Sequence, residues 1–88
     1  MSFKVRLEKG NRVQVPKPLR MRYSLDNSKV LKVSVRVIEA HTDWEDFHAR
    51  MDKSGRITIS KLTLCLLQSE ASKLSLAGEI VEVSIEPA

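Results

Sequence analysis

The sequence repeats itself after 44 residues, half of its 88-residue length, and this repeat constrains the fold more than any other feature. Residues 3–9 align with residues 47–53, and residues 12–15 align with residues 56–59. The aligned pairs are identical or conservative at most positions, including an arginine followed by β-branched residues in both copies. Internal repeats of this kind indicate that one structural unit occurs twice.

The ends of the two copies align at a larger offset. Residues 33–35 match residues 83–85 at an offset of 50, so the second copy holds six additional residues, which we place near 68–79. A unit of about 44 residues buries too little apolar surface to be stable alone. Two copies complete one core if each supplies strands to the other's sheet. The prediction is one mostly β domain, a pseudo-twofold β-barrel made of repeat one (2–37), a linker (38–45) and repeat two (46–86).

Both copies show the same order of elements: strand, tight turn, strand, short helix, strand. Apolar and polar residues alternate at the start of each copy, which is the period of a half-buried strand. Gly10-Asn11 and Ser54-Gly55 have the composition of tight turns. The first copy is predicted to have strands over residues 3–8, 12–15 and 31–37 and a helix over 19–25. The second copy is predicted to have strands over residues 47–52, 57–59 and 80–85 and a helix over 61–70.

Charge is divided unequally between the halves. Residues 1–44 hold ten Lys/Arg and four Asp/Glu, whereas residues 45–88 hold five and seven. A basic half favours a polyanionic partner such as double-stranded DNA. The alternative is internal pairing, in which Lys32 and Arg36 of one strand face Glu82 and Glu86 of its counterpart.

Several classes of function are disfavoured. No run approaches the roughly 18 apolar residues of a membrane span, and no signal-peptide core follows Met1, so we expect a cytoplasmic protein without a membrane partner. Cys65 is the single cysteine and lies in an apolar run, so we expect it to be a small buried hydrophobe. His41 and His48 lie among carboxylates in or beside the linker, where solvation is more common than metal binding. We therefore predict no enzyme activity, cofactor, metal or small-molecule substrate, and we expect Trp44 to cover the core edge.

A short motif occurs in both copies. An acidic residue, a turn, an arginine, β-branched residues, a proline and a Leu-Arg pair occur in residues 8–20, EKGNRVQVPKPLR, and the first part recurs in residues 52–59, DKSGRITI. This motif resembles that of the AbrB/SpoVT (MazE-like) swapped-hairpin family. The resemblance implies an interlaced barrel that binds DNA as a transcriptional regulator or chromosome-associated protein, which would be nucleoid-associated. In that family the arginine after the turn and arginines on the helix contact DNA.

The resemblance assigns DNA contacts to Arg12 and Arg56 after the turns and to Arg20 on the first helix, with Arg22 nearby. Together with the other basic residues of the aligned strands and turns, the predicted DNA-binding residues are Lys4, Arg6, Lys9, Arg12, Lys17, Arg20, Arg22, Arg50 and Arg56. Lys4 and Arg6 share the outward face of their strand, and we expect them to form one cationic surface with Arg12 across the hairpin. The second copy has Leu64 in place of Arg20, so we expect the first copy to make most of the contact.

The second predicted helix is apolar on nearly all sides between Leu62 and Leu67. Either the six-residue insertion covers it, or it is exposed and contacts another molecule. We expect the second case, a homodimer formed through this helix. The alternative function is a protein-interaction module, either an adaptor or an antitoxin-like protein, that has lost the ability to bind DNA.

Overall fold

The structure is a computed structural model that describes residues 1–88. It contains six strands and two helices in the order that the repeat predicts. They are β1 (Ser2–Arg6), β2 (Arg12–Gln14), α1 (Lys17–Arg22), β3 (Leu31–Val37), β4 (Glu45–Ala49), β5 (Arg56–Thr58), α2 (Lys61–Ala71) and β6 (Ile80–Pro87). The protein is mostly β, with one helix in each copy, as predicted.

The strands form two antiparallel sheets. A four-stranded sheet has the order β1-β6-β3-β4, and β2 pairs with β5 in a two-stranded sheet that we call the ribbon. Every strand ladder joins the first copy to the second: β1 to β6, β6 to β3, β3 to β4 and β2 to β5. The two copies therefore complete each other's sheets, because neither copy pairs its own strands into a ladder.

The registers follow the offsets found in the sequence. Phe3 lies opposite Val83 on β6, and its counterpart Phe47 lies opposite Val33 on β3. Ser34 lies opposite Ser84 at the middle of the β3–β6 ladder, and these two serines are equivalent at the offset of 50. In the ribbon Val13 lies opposite its counterpart Ile57. Equivalent residues thus occupy equivalent places in the pairing.

One core joins the two sheets. It consists of sixteen buried apolar residues drawn from both copies. On β3 the alternation is complete, since Leu31, Val33, Val35 and Val37 are buried and the residues between them are not. Burial of aliphatic side chains is the main stabilising contribution, at about 25 cal/mol for each Å² of apolar surface removed from water. The outward sides of the sheet and the ribbon therefore display the polar residues.

The two helices differ in length and in their ends. α1 begins at Lys17 and ends at Arg22, earlier than the predicted 25, because the chain turns away at Ser24, which has a positive φ of 52°. α2 begins after Ser60, whose hydroxyl accepts a hydrogen bond from the Thr63 N–H at 3.2 Å, an N-cap that satisfies an otherwise unpaired donor. α2 ends at Ala71, one residue beyond the prediction, and neither helix is long and apolar enough to span a membrane.

Two expectations about burial are wrong. Cys65 is exposed, because α2 buries Thr63 and Leu67, which lie on the opposite face of the helix. Trp44 does not close the core edge; it is 42% exposed and its ring lies 4.9 Å from the guanidinium carbon of Arg36. A cation–π contact of this kind draws the indole onto the polar side of the sheet.

Candidate nucleic-acid interface

The outward side of the ribbon presents arginines from both copies. Val13 and Ile57 are buried beneath it, so the alternating residues of β2 and β5 point outward. Arg12 lies opposite Thr58, and Gln14 lies opposite Arg56. The two arginines therefore occupy diagonal positions on the same side of a two-stranded ribbon.

The two turns flank this ribbon, and each is held by the other copy. Gly10 and Gly55 have φ values of 85° and 81°, the left-handed region that glycine adopts without strain. The Val15 N–H donates to the carbonyl of Gly55 at 2.9 Å, and the Ile59 N–H donates to the carbonyl of Asn11 at 2.9 Å. These reciprocal bonds place Lys9 and Lys53, one in each turn, beside the ribbon.

Arg12 and Arg56 are equivalent in sequence but not in their contacts. The Nε of Arg56 donates to Oε1 of Glu8 at 2.8 Å, and this hydrogen bond raises the pKa of Arg56. Arg12 is exposed and forms no ion pair or side-chain hydrogen bond. The arginine of the first copy is therefore free to meet an anion, whereas the arginine of the second copy is already paired.

Asp52 stabilises the second turn. Its Oδ1 accepts hydrogen bonds from the N–H groups of Arg56 at 3.0 Å and Ser54 at 2.8 Å. The backbone N–H of Arg56 is the main cause that lowers the pKa of Asp52, and the charges of Arg56 and Arg12 lower it further. Asp52 is thus a charged residue that orders the turn.

Arg20 lies across the second turn. Its Nε donates to the carbonyl of Val15 at 3.1 Å, and its guanidinium packs against Gly55, where a Cβ atom would lie 2.5 Å from the guanidinium carbon. Gln14 crosses to the same turn, since its Nε2 donates to the carbonyl of Ser54 at 3.0 Å. Arg20 therefore connects α1 to the turn of the second copy by packing against it.

Positive charge is concentrated around the ribbon. Residues 8–22 carry five Lys/Arg and one Glu, and residues 52–61 carry three Lys/Arg and one Asp, a net of +6 in these two segments and −2 in the rest of the chain. The outward side of the four-stranded sheet is largely neutralised. The ion pairs there are Arg36–Glu82 at 2.6 Å, Lys32–Glu86 at 3.7 Å and Lys32–Asp46 at 3.9 Å, so the alternative of internal pairing holds for the closing strands.

The predicted site residues fall into two groups. Those in or beside the ribbon and its turns are Lys9, Arg12, Lys17, Arg20 and Arg56, and Arg22 ends the adjoining helix. Lys4 and Arg6 lie on β1 of the other sheet, with Lys4 opposite Glu82 and Nη1 of Arg6 donating to the carbonyl of Gly78 at 2.6 Å. Arg50 follows β4 and is exposed. The expected common surface of Lys4, Arg6 and Arg12 is therefore not formed by one sheet.

Sequence reasoning missed Gln14, Lys53 and Lys61 as residues of this region. The repeat could have identified the two lysines, because Lys53 and Lys61 stand at the positions equivalent to Lys9 and Lys17. Elsewhere, no group of three His, Cys, Asp or Glu side chains is arranged to hold a metal ion.

Comparison with known proteins gives a fold but no function. No family model and no curated protein matches the sequence. The chain is similar to the solution structure of PHS018 from Pyrococcus horikoshii, with a TM-score of 0.79 and 18% sequence identity, covering 98% of this chain and 88% of that chain. At this level of identity the similarity shows a shared fold alone.

Proposed function

We propose that the protein binds double-stranded DNA through the ribbon surface, defined as Lys9, Arg12, Lys17, Arg20, Lys53 and Arg56. The observation that carries the proposal is the unpaired guanidinium of Arg12 between the basic turns of both copies. Cations arranged in this way neutralise phosphates and release condensed counterions. A two-stranded β-ribbon also has the width that the major groove admits.

We further propose an AbrB-like architecture, a pseudo-twofold swapped-hairpin barrel of intertwined repeats, and a role as a transcriptional regulator or chromosome-associated protein. The architecture is supported by strand ladders that always join one copy to the other and by the symmetric registers. The role rests on the resemblance of residues 8–20 and 52–59 to the motif of that family.

A salt series tests DNA binding. The affinity for a random-sequence duplex is measured by fluorescence anisotropy from low to physiological salt. We expect log K to fall linearly with log salt, and we expect Lys9→Ala with Arg12→Ala to make the slope shallower by about 0.9 for each phosphate that is no longer neutralised.

The matched control is Lys4→Ala with Lys32→Ala, which removes the same charge from the outward side of the four-stranded sheet. This control should leave the slope close to that of the wild type. An equal effect of both variants would show that the ribbon is not the DNA-binding surface, and no affinity at low salt would exclude DNA binding.

A protein-interaction module is the second candidate, and one feature of α2 favours it. Leu62 is 73% exposed and Leu66 is 42% exposed, with the exposed Cys65 between them on the same face. The insertion leaves this face open, and Leu74 within the insertion is itself 99% exposed. We propose that this face associates with a second copy.

Light scattering tests the association. A homodimer predicts a particle of twice 10.0 kDa at high concentration, reduced to the monomer by Leu62→Ser with Leu66→Ser. A 10.0 kDa particle at every concentration would contradict it.

A further inference from the structure

Arg20 is half-buried, and its position is fixed by two contacts. Its Nε donates to the carbonyl of Val15, and the guanidinium lies against Gly55. Nη1 and Nη2 form no hydrogen bond within the protein. The forked end of the side chain is therefore oriented in advance and unused, which lowers the entropy cost of a two-pronged contact.

The second copy provides the place for this arginine. A Cβ atom on Gly55 would lie 2.5 Å from the guanidinium carbon, so only glycine leaves room there. The position equivalent to Gly55 in the first turn is Asn11, with a positive φ of 60°, and the glycine of that turn, Gly10, lies one residue earlier. The nearest atom to a Cβ position on Gly10 is Nε of Arg12 at 3.6 Å. Each turn has one positive-φ glycine, at a different position, and only the glycine of the second turn lies against the guanidinium of Arg20.

The counterpart of Arg20 is Leu64, which is half-buried against the core and has no polar group. On the side of the ribbon where α2 lies, Lys61 is the last basic residue, and the next exposed large side chains of α2 are leucines. The basic surface therefore extends past the ribbon toward α1 and not toward α2.

A groove of about 240 Å³ beside Arg20 contains two carboxylates, Asp26 and Asp52, together with Lys53. Ser28 lowers the pKa of Asp26 by hydrogen bonding, and the N–H of Arg56 lowers the pKa of Asp52, so both are ionised at neutral pH. Carboxylates repel a phosphate, whereas the edge of a base carries no net charge. The surroundings of Arg20 thus favour a base edge over the DNA backbone.

We infer that the chain binds an asymmetric, non-palindromic duplex site in one orientation, with the fork of Arg20 contacting a guanine edge on the α1 side and no equivalent contact on the α2 side. Arginine pairs with O6 and N7 of guanine in the major groove through two parallel hydrogen bonds. The inference rests on the proposed function and adds the symmetry of the target and the residue that selects it.

Selection from a pool of random duplexes tests the inference. Duplexes retained by the immobilised protein are sequenced, and affinities are then measured on the selected duplex and on random sequence. We expect the motif contacted by each chain to have no twofold symmetry of its own, including in a homodimer that contacts two such motifs. Arg20→Lys keeps the charge but removes the fork, so it should lower the ratio of affinity for the selected duplex to affinity for random sequence by about tenfold or more.

Gly55→Ala tests the guanine contact of Arg20 in a second way, because it displaces the guanidinium without removing it. Gly10→Ala is its control, with nearly the same positive φ and no contact with Arg20. Gly55→Ala should abolish the guanine preference and Gly10→Ala should keep it, with circular dichroism confirming that both variants are folded.

The outcomes separate the inference from the proposed function. A motif that is palindromic within the site of one chain, or a motif that survives Arg20→Lys, overturns the inference. Salt-dependent binding that enriches no motif also overturns it and leaves DNA binding intact. Absence of any affinity for duplexes at low salt overturns both.

Discussion

The two copies contribute equivalent strands but very different helices. In the first copy α1 has six residues, carries Arg20 and Arg22 in its last turn and buries no side chain. In the second copy α2 has eleven residues, has no basic residue in its last turn and buries Thr63 and Leu67. Each strand must match a partner in the other copy, so its pattern is preserved, whereas the helices lie outside the ladders and can diverge.

The turns show the same contrast at smaller scale. Glu8 and Asp52 are equivalent acidic residues, yet Glu8 binds the side chain of Arg56 and Asp52 binds the backbone of its own turn. As a result Arg12 is free and Arg56 is paired. A symmetric backbone can therefore carry an asymmetric charge surface, because a few side chains choose different partners.

The largest effect is expected at the insertion that distinguishes the second copy. Leu76 is fully buried and Leu74, two residues earlier, is 99% exposed. Leu76→Ala should lower the free energy of unfolding by about 2–5 kcal/mol through reduced burial and a residual cavity. Leu74→Ala should change it by about 0.5 kcal/mol or less. Denaturant unfolding measures both, and equal effects would show that the insertion is not part of the core.

The glycines of the two turns, Gly10 and Gly55, should give the next largest effect. Alanine at either position is strained by a positive φ, at a cost of about 1–2 kcal/mol. Gly55→Ala should cost slightly more than Gly10→Ala, because its methyl group displaces the guanidinium of Arg20 and disrupts the hydrogen bond from Nε of Arg20 to the carbonyl of Val15. Thermal unfolding of the two variants makes the comparison, and a larger destabilisation by Gly10→Ala would contradict the proposed role of Gly55.

Removing the partner of Arg56 should leave both turn arginines, Arg12 and Arg56, unpaired. Glu8→Gln removes the carboxylate that pairs with Arg56 and one negative charge beside the ribbon. Duplex affinity should rise, by up to about tenfold at 0.1 M salt if one further phosphate is neutralised. Anisotropy measures the change, with Glu86→Gln on the other sheet as the control. A fall in affinity would show that the pair supports the bound conformation.

The smallest effect concerns pH. Hydrogen bonds from the Arg56 and Ser54 N–H groups lower the pKa of Asp52 in the folded state. The ionised Asp52 therefore adds to the free energy of unfolding above its unfolded pKa, about 3.9. This stabilisation disappears as pH falls through the lower pKa of the folded state. Asp52→Asn should reduce the melting temperature at pH 7 slightly and make the protein less sensitive to acidification. If melting temperature depends on pH in the same way in the variant and the wild type, Asp52 does not contribute to the acid sensitivity of the fold.

Much of the fold followed from the 44-residue repeat. The order of elements was predicted correctly, and the pairing of Lys32 and Arg36 with acidic residues of β6 was one of the two alternatives offered for the divided charge. The errors concern exposure: Cys65 was expected to be buried and Trp44 to cover the core. An apolar run does not specify which helix face meets the core, and an aromatic residue near a strand does not reveal a cationic neighbour from another strand.

The candidate site was predicted only in part for a related reason. Residue type identified Arg12, Arg20 and Arg56, but the expected common face with Lys4 assumed a hairpin within one copy. β1 instead pairs with β6, so Lys4 belongs to another surface. The partner of a strand depends on contacts between residues far apart in the chain, which a local pattern does not record.

The sequence by itself determined that two similar units occur in one chain and where their strands and turns lie, because alternation and turn chemistry are local. Tertiary structure alone decided which strand of one copy pairs with which strand of the other, that Glu8 binds Arg56 while Arg12 stays unpaired, and that Arg20 packs against Gly55. These features depend on which side chains meet when the copies interlace, and that is a property of the packed molecule.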